Sequence, residues 1–140
     1  MKIVLPVDGS PYTKRMLGYV AAHEELFGPE HEYVFVTAVA PVPPRVTHFI
    51  NLVALNAYYS DEAAKVLRPV LAFAEQHRWK ARSLHVEGPA AEVLAEAAMA
   101  EQADLIVMGS HGHSALANVF LGSVATGVLA RCTVPVLLVR

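Results

Sequence analysis

Four short apolar runs and one alternating run, residues 81–86, are separated by segments of helical character and constrain most strongly what this chain can fold into. The runs occupy residues 3–7, 33–39, 81–86, 104–108 and 134–139. Short apolar runs bounded by turn residues are typical of strands buried on both faces of a sheet. Because parallel neighbours need crossover connections, helices between the strands predict a parallel sheet covered on both sides. We therefore predict an α/β fold with a doubly wound, Rossmann-like, five-stranded parallel sheet, whose order 3-2-1-4-5 is taken from the fold class.

The segments between these runs carry the start signals and the periodicity of helices. Ser10 followed by Pro11 is typical of an N-cap and a first helical turn. The periodic segments predict four helices, at residues 12–27, 51–77, 90–102 and 122–131. Pro69 lies within the second helix and is expected to kink or interrupt it. Three prolines within residues 40–49 are expected to exclude regular helix, so a loop is predicted there.

Composition and charge exclude several classes of protein. Hydrophobic residues make up 54% and charged residues 17%, which is unlike a disordered chain. The net charge of -2 argues against a general nucleic-acid-binding protein. The single cysteine, Cys132, fits a reducing compartment, and no apolar run reaches the length of a membrane span. We expect one cytoplasmic domain over residues 1–140, without nucleic-acid or membrane partners.

The stretch MGSHGHSALANVFLGSV, residues 108–124, is the main candidate for a binding site. In a doubly wound sheet, ligands bind beyond the carboxyl ends of the strands where the strand order reverses, so DGSP after the first strand and GSHG after the fourth should converge. Glycine allows tight turns there, and successive free amides form an anion-binding concavity. Gly122 and Ser123 begin the last helix, whose dipole favours phosphate, with Ser123 as N-cap or ligand contact.

The residues between Gly112 and Gly122 form a spacer with a predicted conformation of its own, and the whole stretch has alternatives to phosphate binding. Between the glycines, four apolar side chains are expected to pack down as a short helical turn: Leu116, Val119, Phe120 and Leu121. Glycine-rich turns often only reverse the chain, and neither GxxxxGK[ST] nor a GxGxxG after the first strand is present. His111 and His113 are too few for a zinc site. HGH is similar to the histidine motif of nucleotidylyl transferases, but there it follows the first strand. We interpret both histidines as polar loop residues that favour an anion when protonated.

The spacing Gly109-x2-Gly112-x9-Gly122-Ser123 resembles the nucleotide-binding motif of the universal stress proteins. The resemblance covers the whole chain, including VDGS after the first strand, the proline-rich loop after the second, and the terminal PVLLVR. It implies that Asp8 contacts the nucleoside or a phosphate-held Mg or Mn ion. Ala125 stands where many nucleotide-binding members carry a hydroxyl residue, which makes AMP or ADP an alternative to ATP.

The resemblance further implies a set of nucleotide-binding residues. Those of the adenine pocket would be Pro6, Val7 and Val39. Those of the ribose and the phosphates, together with the polar loop residues between them, would be Met108, Gly109, Ser110, His111, Gly112, His113, Gly122, Ser123, Val124 and Ala125.

Three functions therefore compete. The first is a nucleotide-binding regulatory module of the stress response. The second is a slow ATPase or nucleotidyl-transfer enzyme, although no general base stands out, so hydrolysis is expected to be slow or absent. The third is a dimeric interaction module without nucleotide. In every case the last run, which begins at Val134 and ends at Val139, would be an apolar edge strand that invites pairing, and the resemblance implies an antiparallel homodimer through it.

Overall fold

A computed structural model describes residues 1–113 and 116–140 and contains one five-stranded sheet. The strands are β1 (Lys2–Pro6), β2 (Glu32–Val39), β3 (Lys80–Glu87), β4 (Leu105–Gly109) and β5 (Val136–Val139). Every neighbouring pair is parallel, and the order is β3-β2-β1-β4-β5. The predicted fold class and strand order are therefore confirmed, and the order reverses between β1 and β4.

Five helices connect the strands in the part of the chain that the structure describes. They are α1 (Pro11–Ala22), α2 (Pro44–Thr47), α3 (Leu52–Gln76), α4 (Ala90–Ala100) and α5 (Ser123–Arg131). Ser10 caps α1 as predicted, because its side chain accepts a hydrogen bond from the Thr13 amide and Pro11 opens the helix. No helix in the described part of the chain combines the length and the apolar character needed to cross a membrane.

Alternate residues of the strands belong to two separate apolar clusters, one on each face of the sheet. Ile3 and Phe35 pack with α1 and α3 in the first, which we call the α1–α3 cluster. Val4 and Val36 pack with α4 and α5 in the second, which we call the α4–α5 cluster. Since successive side chains of a strand point to opposite faces, both faces of β1 and β2 are apolar, which explains their unbroken apolar runs.

The structure contradicts the predicted loop at residues 40–49 and the predicted interruption of the second long helix at Pro69. Residues 40–49 include one helical turn, because Pro44 occupies its first position, where a fixed φ and a missing N–H carry no penalty. Helix α3 runs unbroken through Pro69 from the Asn51 cap. Both Pro69 and Lys65, the residue one turn earlier, are exposed, so water can satisfy the carbonyl that proline leaves without its helical partner.

The α4–α5 contact brings the first turns of these two helices close to the sheet's point of reversal. A Cβ on Gly127 of α5 would collide with the Ala91 side chain of α4, so the helices touch almost backbone to backbone. This close approach places the start of α4, where Ala91 lies, directly against α5.

Candidate functional site

A cavity of about 490 Å³ lies beyond the carboxyl ends of β1 and β4. Its size falls within the range of small-molecule sites, and its position is the point of strand reversal. The lining residues come from the ends of β1, β2 and β4, from the loop after β4, and from the starts of α1, α4 and α5. They are Pro6, Val7, Asp8, Thr13, Ala38, Ala90, Leu94, Met108, Gly109, His111, Gly112, His113, Leu116, Val119, Gly122, Ser123, Val124 and Ala125.

Most of the residues singled out in the sequence meet in this cavity, and Val39 and Ser110 are the exceptions. Val39 is buried in the α1–α3 cluster, whereas its neighbour Ala38 packs on the opposite face and lines the cavity. A shift of one residue along a strand moves a side chain to the other face, which explains the exchange. Ser110 is buried in the loop after β4, and its carbonyl accepts a 2.7 Å hydrogen bond from the Gly122 amide.

The cavity also takes in residues that the sequence patterns did not single out as site residues. Thr13 belongs to the first turn of α1, and Ala90 and Leu94 belong to α4. Gly88 and Pro89, which open α4 at the carboxyl end of β3, were a usable signal that this helix begins near the site. Ala38, Leu94 and Met108 give the cavity an apolar part of its lining, because all three also belong to the α4–α5 cluster.

The start of α5 also lines the cavity, through Gly122, Ser123, Val124 and Ala125. Gly122 is the N-cap and Ser123 is the first helical residue. The predicted role of Ser123 as the N-cap is therefore wrong. No side chain of the described residues caps α5. The amides of its first turn therefore face the cavity without a side-chain acceptor, where they and the helix dipole suit an anion.

Two glycines of the motif allow the loops around the cavity to lie directly against each other. A Cβ on Gly112 would come within 2.5 Å of Asp8 Oδ2. A Cβ on Gly122 would come within 2.9 Å of the Ser110 carbonyl oxygen and 3.0 Å of the His111 Cα. These glycines are therefore needed for the packing of the protein itself, apart from any room they leave for a ligand.

Asp8 is held in place by the turn after β1. Its Oδ1 accepts hydrogen bonds from the Ser10 amide and the Thr13 hydroxyl, both at 2.9 Å. Burial raises the pKa of the Asp8 carboxyl, but the hydrogen bonds from Ser10 and Thr13 outweigh burial and bring the pKa below its usual value. Asp8 is thus an anion at neutral pH, with Oδ2 as the oxygen that no described donor holds. The described residues contain no group of three metal-ligating side chains, so a divalent ion here would need oxygens from a ligand.

Each histidine of the loop ties two segments together. His113 Nε2 lies 2.6 Å from the Asp8 carbonyl oxygen, and His111 Nε2 lies 2.6 Å from that of Val119. Because a carbonyl oxygen only accepts, both Nε2 atoms carry a proton and donate it. His113 therefore joins the β4 loop to the β1 loop, and His111 closes the β4 loop on itself. Both rings line the cavity, but their Nε2 protons are already engaged with the protein.

The spacer between the glycines is not packed down as expected. Leu116 and Phe120 are 69% and 79% exposed, whereas Leu121 packs against the α4–α5 cluster. A turn is present, closed by the Val119 amide donating to the Leu116 carbonyl at 3.1 Å. Residues 114 and 115 of this spacer lie outside the described residues.

The whole chain matches the family model described as the universal stress protein family, over residues 1–140. A universal stress protein of Thermus aquaticus is 36% identical over 138 residues, which cover 99% of this chain and 97% of the relative. A universal stress protein of Methanocaldococcus jannaschii is 31% identical over 145 residues, which cover 99% of this chain and 81% of the relative.

Solved structures of similar fold include several nucleotide complexes. A further Methanocaldococcus jannaschii protein is 28% identical with a TM-score of 0.82, covering 99% of this chain and 94% of that one. An Archaeoglobus fulgidus universal stress protein in complex with dAMP has a TM-score of 0.68 at 18% identity, covering 100% and 98%. An Arabidopsis thaliana protein with AMP bound has a TM-score of 0.69 at 11% identity, covering 99% and 90%. At the last two identities the likeness concerns the fold.

Proposed function

Because this chain belongs to the universal stress protein family, we propose that it binds an adenine nucleotide in the cavity beyond β1 and β4 and acts as a nucleotide-dependent regulatory module. One observation carries the proposal. A single cavity of nucleotide size is lined both by the apolar side chains of Ala38, Leu94 and Met108 and by the uncapped start of α5. A flat apolar base and an anionic phosphate chain require these two environments side by side.

The proposed orientation follows from the chemistry of these two parts of the lining. The base lies against the apolar part, and the phosphates meet the amides of Ser123 and Val124 at the start of α5. Asp8 also lines the cavity, and in this orientation its Oδ2 accepts hydrogen bonds from the ribose hydroxyls. The structural relatives that carry AMP and dAMP support a nucleoside phosphate as the ligand class.

The charge of the lining favours AMP or ADP over ATP. No lysine or arginine is among the described lining residues, and Asp8 adds a negative charge. Ala125 is 1% exposed and offers the phosphates no hydroxyl. ATP carries the most negative charge of the three nucleotides, and no cationic side chain of the described lining would balance that charge unless a divalent ion bound with it. Asp8 Oδ2 is the carboxylate oxygen of the described lining that could reach such an ion. The choice among the three nucleotides is part of the proposal.

The experiment that tests the proposal is identification of the molecule released when the purified protein is denatured. Mass spectrometry is expected to find an adenine nucleotide, and calorimetry of the emptied protein is expected to show one site for AMP. A protein that is purified empty and binds neither AMP, ADP nor ATP would contradict the proposal and favour an interaction module without nucleotide.

We also propose a homodimer through β5. This strand is at one edge of the sheet and is hydrogen-bonded to β4 along one side. The Ile106 amide donates to the Pro135 carbonyl and the Ser110 amide to the Val139 carbonyl, so the alternate residues Val136 and Leu138 direct their backbone groups toward the open edge. Light scattering at micromolar concentration should give the mass of a dimer, and a monomer would contradict the proposal.

A further inference from the structure

A second hollow, of about 660 Å³, adjoins the nucleotide cavity across the loop after β4. We call it the arginine groove and define it by Tyr12, Arg15, Asn118, Phe120 and Arg140, none of which lines the cavity. The groove and the cavity share three wall residues: His111, Leu116 and Val119. The same loop therefore has one surface toward each hollow.

Two guanidinium groups are held in the groove by aromatic rings. The Arg15 Cζ lies 5.0 Å from the centroid of the Tyr12 ring, and the Arg140 Cζ lies 5.3 Å from that of Phe120. Both distances are within the range of cation–π contacts. Neither arginine forms an ion pair with a carboxylate of the described residues, and the described lining of the groove contains no Asp or Glu. Stacking leaves the N–H edges of both guanidiniums available.

We propose that the arginine groove docks an acidic segment of a partner protein, one that presents Asp or Glu carboxylates beside an apolar side chain. The guanidinium fork matches a carboxylate with two parallel hydrogen bonds. Phe120 and Leu116 add the apolar contact, since they are 79% and 69% exposed. Arginine and aromatic residues are the residue types that most often dominate the binding energy of protein interfaces.

Charge complementarity favours an acidic occupant. Arg15 and Arg140 both line the groove, and its described lining contains no Asp or Glu. An acidic partner therefore supplies the charge that the described lining lacks. A second copy of the chain is the alternative occupant, and the molecular mass of the variants distinguishes it.

The shared loop couples docking to the nucleotide. His111 lines both hollows and holds the Val119 carbonyl, so a ligand that shifts this loop from the cavity side also moves a wall of the groove. Any such coupling is reciprocal, so the docked segment must change nucleotide affinity by the same factor. This step, unlike the docking itself, rests on the proposed nucleotide function.

The test uses a fluorescein-labelled peptide of alternating Glu and Phe residues and measures its binding by fluorescence anisotropy. Arg15→Gln and Arg140→Gln are each expected to weaken binding by about tenfold, the range of one lost charged hydrogen-bonded contact. Arg68→Gln is the matched control, because Arg68 is an exposed arginine on α3, away from both hollows. A peptide with Gln in place of Glu should bind at least tenfold more weakly, and added salt should weaken the Glu peptide.

The outcomes separate this proposal from the nucleotide function. Equal binding of the Glu and Gln peptides, or equal loss in Arg68→Gln, would overturn the docking proposal. So would a change in molecular mass on Arg15→Gln without peptide, because the groove would then contact a second copy. AMP affinity of the Arg15→Gln protein should stay unchanged. Peptide binding without AMP binding would support the docking proposal and contradict the nucleotide function. AMP binding without peptide binding would support the nucleotide function and contradict the docking proposal.

Discussion

The Gly122→Val variant is expected to bind AMP about 100-fold more weakly than the original protein, a change of roughly 2.7 kcal/mol in binding free energy. Gly122 has φ -66° and ψ 157°, which any residue can adopt, so space and not backbone strain decides the effect. A Cβ at this position would meet the Ser110 carbonyl oxygen at 2.9 Å and the His111 Cα at 3.0 Å. Backbone atoms cannot rotate away, so the loop after β4 must move.

This movement should reach the proposed phosphate site and leave the core in place. The Gly122 amide donates to the Ser110 carbonyl at 2.7 Å, and this hydrogen bond fixes the start of α5 against the loop. Displacing it redirects the free amides of Ser123 and Val124, which we assign to the phosphates. The residues on the far side of the loop are exposed, so they can absorb the shift without exposing the two apolar clusters.

Gly18→Ala is the matched control for this variant. Gly18 lies in α1, and a Cβ there would meet nothing within 4 Å. Alanine in an open helical position should stabilise the protein by about 0.5–1 kcal/mol and leave AMP affinity unchanged. Calorimetry with AMP and thermal unfolding by circular dichroism measure both quantities. Unchanged affinity in Gly122→Val would mean that the start of α5 does not hold the phosphates.

The sequence predicted the five strands, the four long helices and the place of the candidate site, because those depend on patterns that run along the chain. Four apolar runs and one alternating run, separated by helices, predict a parallel sheet, and a parallel sheet with this order places its crevice between β1 and β4. It did not predict which side chain of a strand end faces the crevice. Val39 and Ala38 are adjacent and both apolar, so composition cannot tell which of them points to which face.

The roles of the histidines and of the spacer could not be predicted for a different reason. His113 is hydrogen-bonded to the carbonyl of Asp8, 105 positions away, and no local pattern records a contact of that kind. Leu116 and Phe120 were expected to pack inward because they are apolar. They are exposed instead, and Phe120 contacts the guanidinium of Arg140. An apolar residue in a loop can belong to a surface that contacts a partner as well as to the core, so its type alone does not predict burial.

The Ala38→Phe variant is expected to weaken AMP binding by at least tenfold, or about 1.4 kcal/mol, without weakening the binding of inorganic pyrophosphate. Ala38 is half-buried in the apolar part of the cavity lining, where we place the base. A phenyl ring at this position can enter the cavity and take part of the volume that the base needs. In the proposed orientation the base and the phosphates occupy different parts of the cavity, so the amides at the start of α5 remain free for phosphate.

Pyrophosphate as the second probe distinguishes the Gly122→Val variant, which alters the proposed phosphate site, from the Ala38→Phe variant, which alters the proposed base site. Gly122→Val should weaken both AMP and pyrophosphate, whereas Ala38→Phe should weaken AMP alone. Ala40→Phe is the matched control, because Ala40 is exposed in the loop after β2 and does not line the cavity, so the same substitution there should leave both affinities unchanged. Equal AMP binding by the Ala38→Phe and Ala40→Phe proteins would place the base elsewhere. Loss of pyrophosphate binding in Ala38→Phe would mean that the proposed base and phosphate sites are not independent and that the proposed orientation of the nucleotide is wrong.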